Sequence, residues 1–163
     1  MLALLSFLSI AHAEKPQVDI QDDGFITVRF HSPVKEKRIR SFLADPFAYE
    51  KIDARTSVKL LDQQPPCSNI EYASTGNTYK IKMCENKHGF QLDLIESKSI
   101  KSYQAIWHLT PKKNGTFIDY RIKIEPTFYI PQIIVNQKLK RDVADFFDSF
   151  QNYFEQETKE KKK

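Results

Sequence analysis

Two cysteines and four histidines are the side chains of this sequence best suited to redox, nucleophilic or metal chemistry. Cys67 and Cys84 are its only cysteines, and they stand at the two ends of the segment CSNIEYASTGNTYKIKMC. They can form a disulfide, or they can remain two unpaired thiols. The choice depends on which residues the local structure places opposite each other.

Polar and apolar residues nearly alternate on both sides of the Thr-Gly-Asn turn in this segment, which is typical of a β-hairpin. If Ser74 lies opposite Asn77, the same register places Cys67 opposite Cys84. The other pairs are Tyr72 with Tyr79, Ile70 with Ile81, Ser68 with Met83, and Glu71 with Lys80. A one-residue slip would move the aromatic pair to the opposite face. Because directly opposed side chains lie within disulfide reach, the sequence predicts a Cys67–Cys84 bridge.

The remaining candidates for catalysis lack a recognisable arrangement. His31, His88 and His108 fall on different elements without metal-ligand spacing. The sequence has no Gly-x-Ser-x-Gly, phosphate-loop or His-Glu-x-x-His pattern. Asp119 and Arg121 are expected on the solvated face of their strand. We therefore predict no catalytic residue, no metal site and no cofactor, although enzymes that use scattered pocket residues stay open.

Residues 1–13, MLALLSFLSIAHA, are uncharged, apolar and end in Ala-His-Ala, the small-residue pattern of a signal-peptide cleavage site. Disulfides persist in oxidising compartments, so this segment and the cysteine pair support each other. The sequence predicts cleavage after Ala13 and a periplasmic or secreted protein. The segment is shorter than usual and no basic residue precedes its apolar run, so the alternatives are a true start further upstream or a buried strand.

The remaining length suits one domain, assigned to residues 14–157, with a basic tail at 158–163. Twelve Phe and seven Tyr against four Gly indicate an ordered aromatic core. The formal net charge is +4, and the tail TKEKKK carries +3 of it, with four Lys and one Glu. The rest is too close to neutral for a nucleic-acid partner. The tail is either a solvated end or a weak membrane-surface contact. We expect a monomer.

The pattern along the chain predicts an α+β domain. A strand at 24–31 is followed by a helix that starts at Ser32-Pro33 and ends near Ala44, and a second short helix starts at Asp45-Pro46. From Thr56 to Pro126 the pattern is of antiparallel strands with short connections. After Pro131 the spacing is helical for about 27 residues, and it places one apolar stripe on this helix: Leu139, Val143, Phe146, Phe147, Phe150 and Phe154.

Three segments in this order resemble the superfamily of START, polyketide-cyclase, coenzyme-Q-binding and birch-pollen-allergen-like proteins. They are SPVKEKRIRSFLADPFAYEKID, IWHLTPKKNGTFIDYRIKIEP and FYIPQIIVNQKLKRDV, and the likeness covers about residues 24–154. The resemblance implies a helix-grip fold, in which a curved antiparallel β-sheet wraps around a long C-terminal α-helix and two short helices follow the first strand. An elongated apolar cavity often lies between sheet and helix in these families.

The implied function is binding of a hydrophobic small molecule, lipid-like or quinone-like, with Tyr72, Tyr79, Trp107, Tyr120 and Phe147 among the cavity walls. The full set of expected ligand-binding residues is Phe30, Tyr72, Tyr79, Ile81, Met83, Phe90, Leu92, Leu94, Tyr103, Ala105, Trp107, Tyr120, Ile122, Ile134, Val143 and Phe147. The same side chains could instead fill a solid core, which would suit an interaction module. A cyclase- or hydrolase-like enzyme using the same pocket is the other alternative.

Overall fold

Eight strands of the described chain form one antiparallel sheet in the order β1-β2-β8-β7-β6-β5-β4-β3. The structure is a computed structural model that describes residues 15–74 and 76–160. Its elements are β1 (Gln17–Ile20), β2 (Ile26–Ser32), α1 (Glu36–Ala44), α2 (Ala48–Ile52), β3 (Thr56–Gln64), β4 (Cys67–Ser74), β5 (Asn77–Asn86), β6 (Gly89–Ser97), β7 (Ile100–Lys112), β8 (Gly115–Pro126) and α3 (Gln132–Glu160). Strands β3 to β8 form a simple meander, because each strand pairs with the next one along the chain.

The long helix α3 lies against the inner face of this curved sheet. Five of the six residues of the predicted stripe are buried: Leu139, Val143, Phe147, Phe150 and Phe154. The sixth, Phe146, is half-buried. Strand residues that alternate inward meet this stripe and form one hydrophobic core with it. The α+β helix-grip architecture predicted from the sequence is therefore confirmed.

The hairpin register is confirmed pair by pair, from Ser74 opposite Asn77 to Cys67 opposite Cys84. The two cysteines form a disulfide with their Cα atoms 4.0 Å apart. One detail differs from the expected pairing of charges. Lys80 lies opposite Glu71, yet its ammonium forms an ion pair of 2.6 Å with Glu96 of the next strand.

The first helix begins later than the sequence predicted. Ser32 is the last residue of β2, where it pairs with Thr116, and α1 starts only at Glu36. Two contacts hold the intervening residues outside the helix: the Thr116 hydroxyl donates to the Val34 carbonyl at 2.7 Å, and the Val34 amide donates to Ser32 Oγ at 3.3 Å. The predicted end at Ala44 is confirmed.

A glycine makes this arrangement possible. Gly115, at the start of β8, has a φ of +145°, and a Cβ atom built there would lie 1.9 Å from the Ser32 carbonyl oxygen. A side chain at this position would push β8 away from the strand end that precedes α1.

Two chain ends differ from the sequence-based boundaries. Strand β1, which pairs with β2, was not predicted, because QVDI is too short to show a period. Helix α3 continues to Glu160, so the first three residues of the assigned basic tail are helical. The predicted signal peptide with its cleavage site at Ala13, and the last residues of the tail, lie outside the described residues.

Candidate ligand-binding cavity

A cavity of about 570 Å³ lies between the inner face of the sheet and the N-terminal half of α3. Helix α2 and the segment before α3 close its sides, through Tyr49, Ile52, Phe128 and Ile130. Aliphatic side chains line much of the remaining wall, among them Ile70, Ile81, Leu92, Ile100, Ile122, Ile124, Leu139 and Val143. This size and lining are typical of a small-molecule site.

Ten of the sixteen residues expected to bind a ligand lie on this wall. They are Tyr72, Tyr79, Ile81, Leu92, Tyr103, Trp107, Tyr120, Ile122, Ile134 and Val143. Their position matches the expectation, and their contact with a ligand stays a prediction.

The other six do not line the cavity: Phe30, Met83, Phe90, Leu94, Ala105 and Phe147. Leu94 is half-buried, and the other five are buried in the packed core. The prediction that Phe147 forms part of the wall is therefore wrong. Its ring packs edge-on against Phe30 at 5.5 Å and tilted against Trp107 at 5.3 Å.

The physical reason is that α3 packs its aromatic rings against the rings of the core along its second half. There Phe147, Phe150 and Phe154 are buried, and Phe150 and Phe154 also contact Phe42 of α1. No such ring packing fills the space beside the first half of α3, where the cavity lies. Phe146, the sequence neighbour of Phe147, points to the other side and lines the cavity.

Five tyrosines of the wall, Tyr49, Tyr72, Tyr79, Tyr103 and Tyr120, form a group that we call the tyrosine cluster. Tyr72 and Tyr79 stack across the hairpin with ring centroids 6.2 Å apart. The Tyr72 hydroxyl shares a hydrogen bond of 3.1 Å with the Thr56 hydroxyl. The cluster places polar groups in an otherwise apolar cavity.

Burial raises the pKa of every phenol in the tyrosine cluster, and for Tyr49, Tyr103 and Tyr120 the rise is large. The phenols also raise one another's pKa, which means that their hydroxyls lie within electrostatic range. At physiological pH all five are therefore neutral. They can donate or accept hydrogen bonds, but they cannot serve as ready bases.

Sequence analysis missed Tyr49 as a site residue. It lies on the five-residue helix α2, which is too short for its periodicity to show a buried face. Its ring stacks on Phe146 of α3 at 6.3 Å. Its hydroxyl oxygen is buried and has no hydrogen-bond partner among the described residues. The one available signal was its position in the segment FAYEKI, shortly after the first helix.

We define the mouth of the cavity by Asp53, Arg55, Lys138, Asp142 and Phe128. Four of these residues are charged, and all but the half-buried Asp53 are solvent-exposed. Asp53 pairs with Arg55 at 3.0 Å, and Lys138 pairs with Asp142 at 2.6 Å. Phe128 and three further apolar side chains beside the mouth are exposed. Their exposed fractions are 61% for Phe128, 94% for Tyr129, 66% for Ile133 and 56% for Ile134.

The histidines and the charged pair considered in the sequence analysis do not line the cavity. The rings of His88 and His108 meet at 5.6 Å, and neither belongs to the cavity wall. Asp119 forms an ion pair with Arg29 at 3.1 Å across β2 and β8. Within the part of the chain that the structure describes, no group of three or more His, Cys, Asp or Glu side chains could hold a metal ion.

Residues 15–74 and 76–160 include no helix that is both long and apolar enough to cross a membrane.

Comparison with known proteins gives a consistent class of fold. No family model and no curated protein matches the chain. Among solved structures, a START superfamily protein from Mycobacterium smegmatis aligns with a TM-score of 0.68 at 11% identity, covering 81% of this chain and 97% of that one. The STAR-related lipid transfer protein from Xanthomonas axonopodis aligns at 0.64 and 11% identity, covering 86% and 98%. The Zhui aromatase/cyclase from Streptomyces sp. R1128 aligns at 0.65 and 12% identity, covering 78% and 88%.

The chain thus has the helix-grip fold shared by START proteins and aromatase/cyclases. At these identities the likeness shows the fold, while the activity must be argued from the cavity itself.

Proposed function

We propose that the protein is an exported, monomeric helix-grip domain that binds a hydrophobic small molecule, lipid-like or quinone-like. The observation that carries this proposal is the cavity of about 570 Å³ between sheet and α3, lined mainly by aliphatic and aromatic side chains. Such walls bind by removing apolar ligand surface from water, at about 25 cal/mol per Å². A structural neighbour described as a lipid transfer protein supports this class of ligand.

A cyclase-like enzyme is the second candidate, because the Zhui aromatase/cyclase shares the fold. The polar groups of the tyrosine cluster weigh against it. Their raised pKa values make these phenols poor general bases near neutral pH. Two of the three carboxylates of the wall, Asp53 and Asp142, lie at the mouth in ion pairs. Binding therefore explains the cavity better than proton transfer does.

Uptake of a neutral apolar fluorophore tests the proposed function. We expect N-phenyl-1-naphthylamine to brighten on binding and to saturate at one molecule per chain, because this cavity is apolar and has the size of a small-molecule site. Fluorescence titration measures this, and mass spectrometry of a solvent extract checks for copurified ligand. A protein with neither saturable uptake nor an extractable molecule would be the solid-core interaction module instead.

If the protein is exported, two of its properties can be predicted: its mature N-terminus and the oxidised state of its two cysteines. Protein recovered from its native host is expected to begin at Glu14 and to contain no thiol that alkylates before reduction. N-terminal sequencing and non-reducing peptide mapping measure the two properties. A retained Met1 together with free thiols would contradict export.

We expect Cys67→Ser to lower the free energy of unfolding by less than about 3 kcal/mol, since the hairpin is also held by its neighbours β3 and β6.

We propose a weak membrane contact through the basic tail, which begins at the C-terminal end of α3. The exposed apolar residues beside the mouth stand at the N-terminal end of that helix and would make a separate contact of their own. Tyr129 and Phe128 are side chains that favour the membrane interface, and Phe128 also lines the cavity. A ligand could then pass between a lipid surface and the cavity without crossing water. Cosedimentation with anionic vesicles at low and high salt tests this contact.

A further inference from the structure

Two hydroxyls of the tyrosine cluster, those of Tyr103 and Tyr120, are open to the cavity and have no partner in the protein. Neither forms a hydrogen bond with a residue of the ranges 15–74 and 76–160. Within these ranges the side-chain oxygens that are both enclosed and unpaired are those of Tyr49 and Asp119. The oxygens of Tyr103 and Tyr120 therefore keep accessible surface, and since both residues line the cavity, a bound molecule can reach them.

The other members of the tyrosine cluster offer less to a ligand inside the cavity. The Tyr49 hydroxyl oxygen is enclosed, so no ligand atom can contact it. The Tyr72 hydroxyl already bonds to Thr56. Burial, the Tyr72 phenol and Asp142 together raise the pKa of Tyr79, which places its hydroxyl toward the charged mouth. The polar contacts available deeper in the cavity are thus those of the remaining two tyrosines.

The positions of Tyr103 and Tyr120 bring these two hydroxyls together. The residues lie on the adjacent strands β7 and β8, and both line the same wall. Burial and the nearby Tyr103 phenol raise the pKa of Tyr120, so the two hydroxyls lie within electrostatic range of each other. Because no bond joins them to each other or to another described residue, both O–H groups can donate to one acceptor placed between them.

We propose that Tyr103 and Tyr120 together bind an uncharged oxygen of the ligand, such as the carbonyl of a ketone, quinone or ester, which accepts a hydrogen bond from each hydroxyl. This inference rests on the proposed function and identifies the polar part of the ligand. The apolar remainder of the ligand lies along the aliphatic wall.

A negatively charged oxygen fits this position poorly. Burial strongly raises the pKa of both phenols, because their surroundings disfavour negative charge. The two cations of the cavity wall, Arg55 and Lys138, lie at the mouth, and each is in an ion pair. A carboxylate between the two phenols would lose its hydration without gaining a counter-charge.

Three ligands with the same number of carbon atoms and one benzene ring test this assignment: hexylbenzene, hexanophenone and 4-pentylbenzoate, each competing with N-phenyl-1-naphthylamine at pH 7. We expect the ketone to bind at least about tenfold more tightly than the carboxylate. In Tyr103→Phe and in Tyr120→Phe the ketone should lose about fivefold to tenfold in affinity, as expected for one hydrogen bond, while the hydrocarbon does not bind more weakly.

Tyr49→Phe is the matched control, because it removes a phenol oxygen of the same wall that no ligand can reach. We expect it to keep the ratio of ketone affinity to hydrocarbon affinity within about twofold of the parent value. This ratio responds to a lost hydrogen bond but not to a general loosening of the cavity, which would weaken both ligands.

The melting temperature of the ligand-free protein gives a second, independent measurement. Since the hydroxyls of Tyr103 and Tyr120 have no partner among the described residues, replacing either residue with Phe should leave the melting temperature unchanged or raise it. Tyr72→Phe, which breaks the bond to Thr56, should lower it.

The outcomes separate this inference from the proposed function. If the affinity ratio is unchanged in both variants, or if the carboxylate binds best, the assignment of the polar group is overturned while the binding function stands. If both variants weaken ketone and hydrocarbon alike and lower the melting temperature, the two tyrosines are structural and the assignment is again overturned. If neither the hydrocarbon nor the fluorophore binds the parent protein, the proposed function fails, and this inference fails with it.

Discussion

Replacing Phe147 with alanine is expected to lower the free energy of unfolding by about 3–5 kcal/mol, since it removes a fully buried aromatic ring from the packed half of α3. Phe147 has an exposed fraction of 0%. Its ring contacts Phe30 at 5.5 Å, Trp107 at 5.3 Å and Tyr120 at 5.2 Å. These partners come from three strands, so the space cannot close by a small local shift. Urea or thermal unfolding measures the loss.

The adjacent residue provides a matched control. Phe146 is half-buried and lines the cavity, so Phe146→Ala enlarges an existing space instead of opening a new one. We expect it to cost clearly less stability than Phe147→Ala and to change ligand affinity more. Equal losses from the two variants would mean that the interior is packed alike on both sides of α3, and would contradict the placement of the cavity.

The difference between these two neighbours shows where sequence reasoning reached its limit. Helical spacing identified the stripe of α3 that faces the sheet, and it included Phe147 correctly as a buried residue. Whether a buried residue meets other side chains or an open cavity depends on the distance between helix and sheet. That distance is set by the packing of α3 on α1 and β2, which no local pattern records.

The β4–β5 hairpin, in contrast, could be predicted in full from the sequence. Its register followed from the turn, the alternation and the aromatic pair, all within 18 residues, and the disulfide followed from the register. Local interactions were sufficient there because adjacent strands fix each other's side-chain faces. Tyr49 could not be found in this way, since its place on the cavity wall arises from the packing of α2 against α3.

Ala105 illustrates the same limit in a test of the cavity. On the sequence alone, Ala105 is expected to face the ligand. Leucine there would overpack a filled core, but in a hollow one it would block binding at little cost in stability. The structure buries Ala105 completely and outside the cavity wall. Ala105→Leu is now expected to overpack the core whether or not the protein binds a ligand, so it cannot decide between a carrier and a solid core.

Two isoleucines on strand β8 decide that question instead. Ile118 and Ile124 both face inward, six residues apart on the same strand. Ile124 lines the cavity, whereas Ile118 is fully buried in the packed core beside Phe30. We expect Ile124→Trp to fill part of the cavity, changing stability by less than about 1 kcal/mol and weakening N-phenyl-1-naphthylamine binding at least about tenfold.

The same substitution at Ile118 should have the opposite profile. Ile118→Trp forces a larger ring into a closed layer and is expected to cost about 1–3 kcal/mol or more, while the folded fraction still binds the fluorophore. Thermal unfolding and fluorescence titration of both variants separate the effects. If Ile124→Trp destabilises the protein as much as Ile118→Trp, the space beside Ile124 is closed in solution. If it leaves binding intact, the ligand occupies some other site, and the role proposed for this cavity is lost.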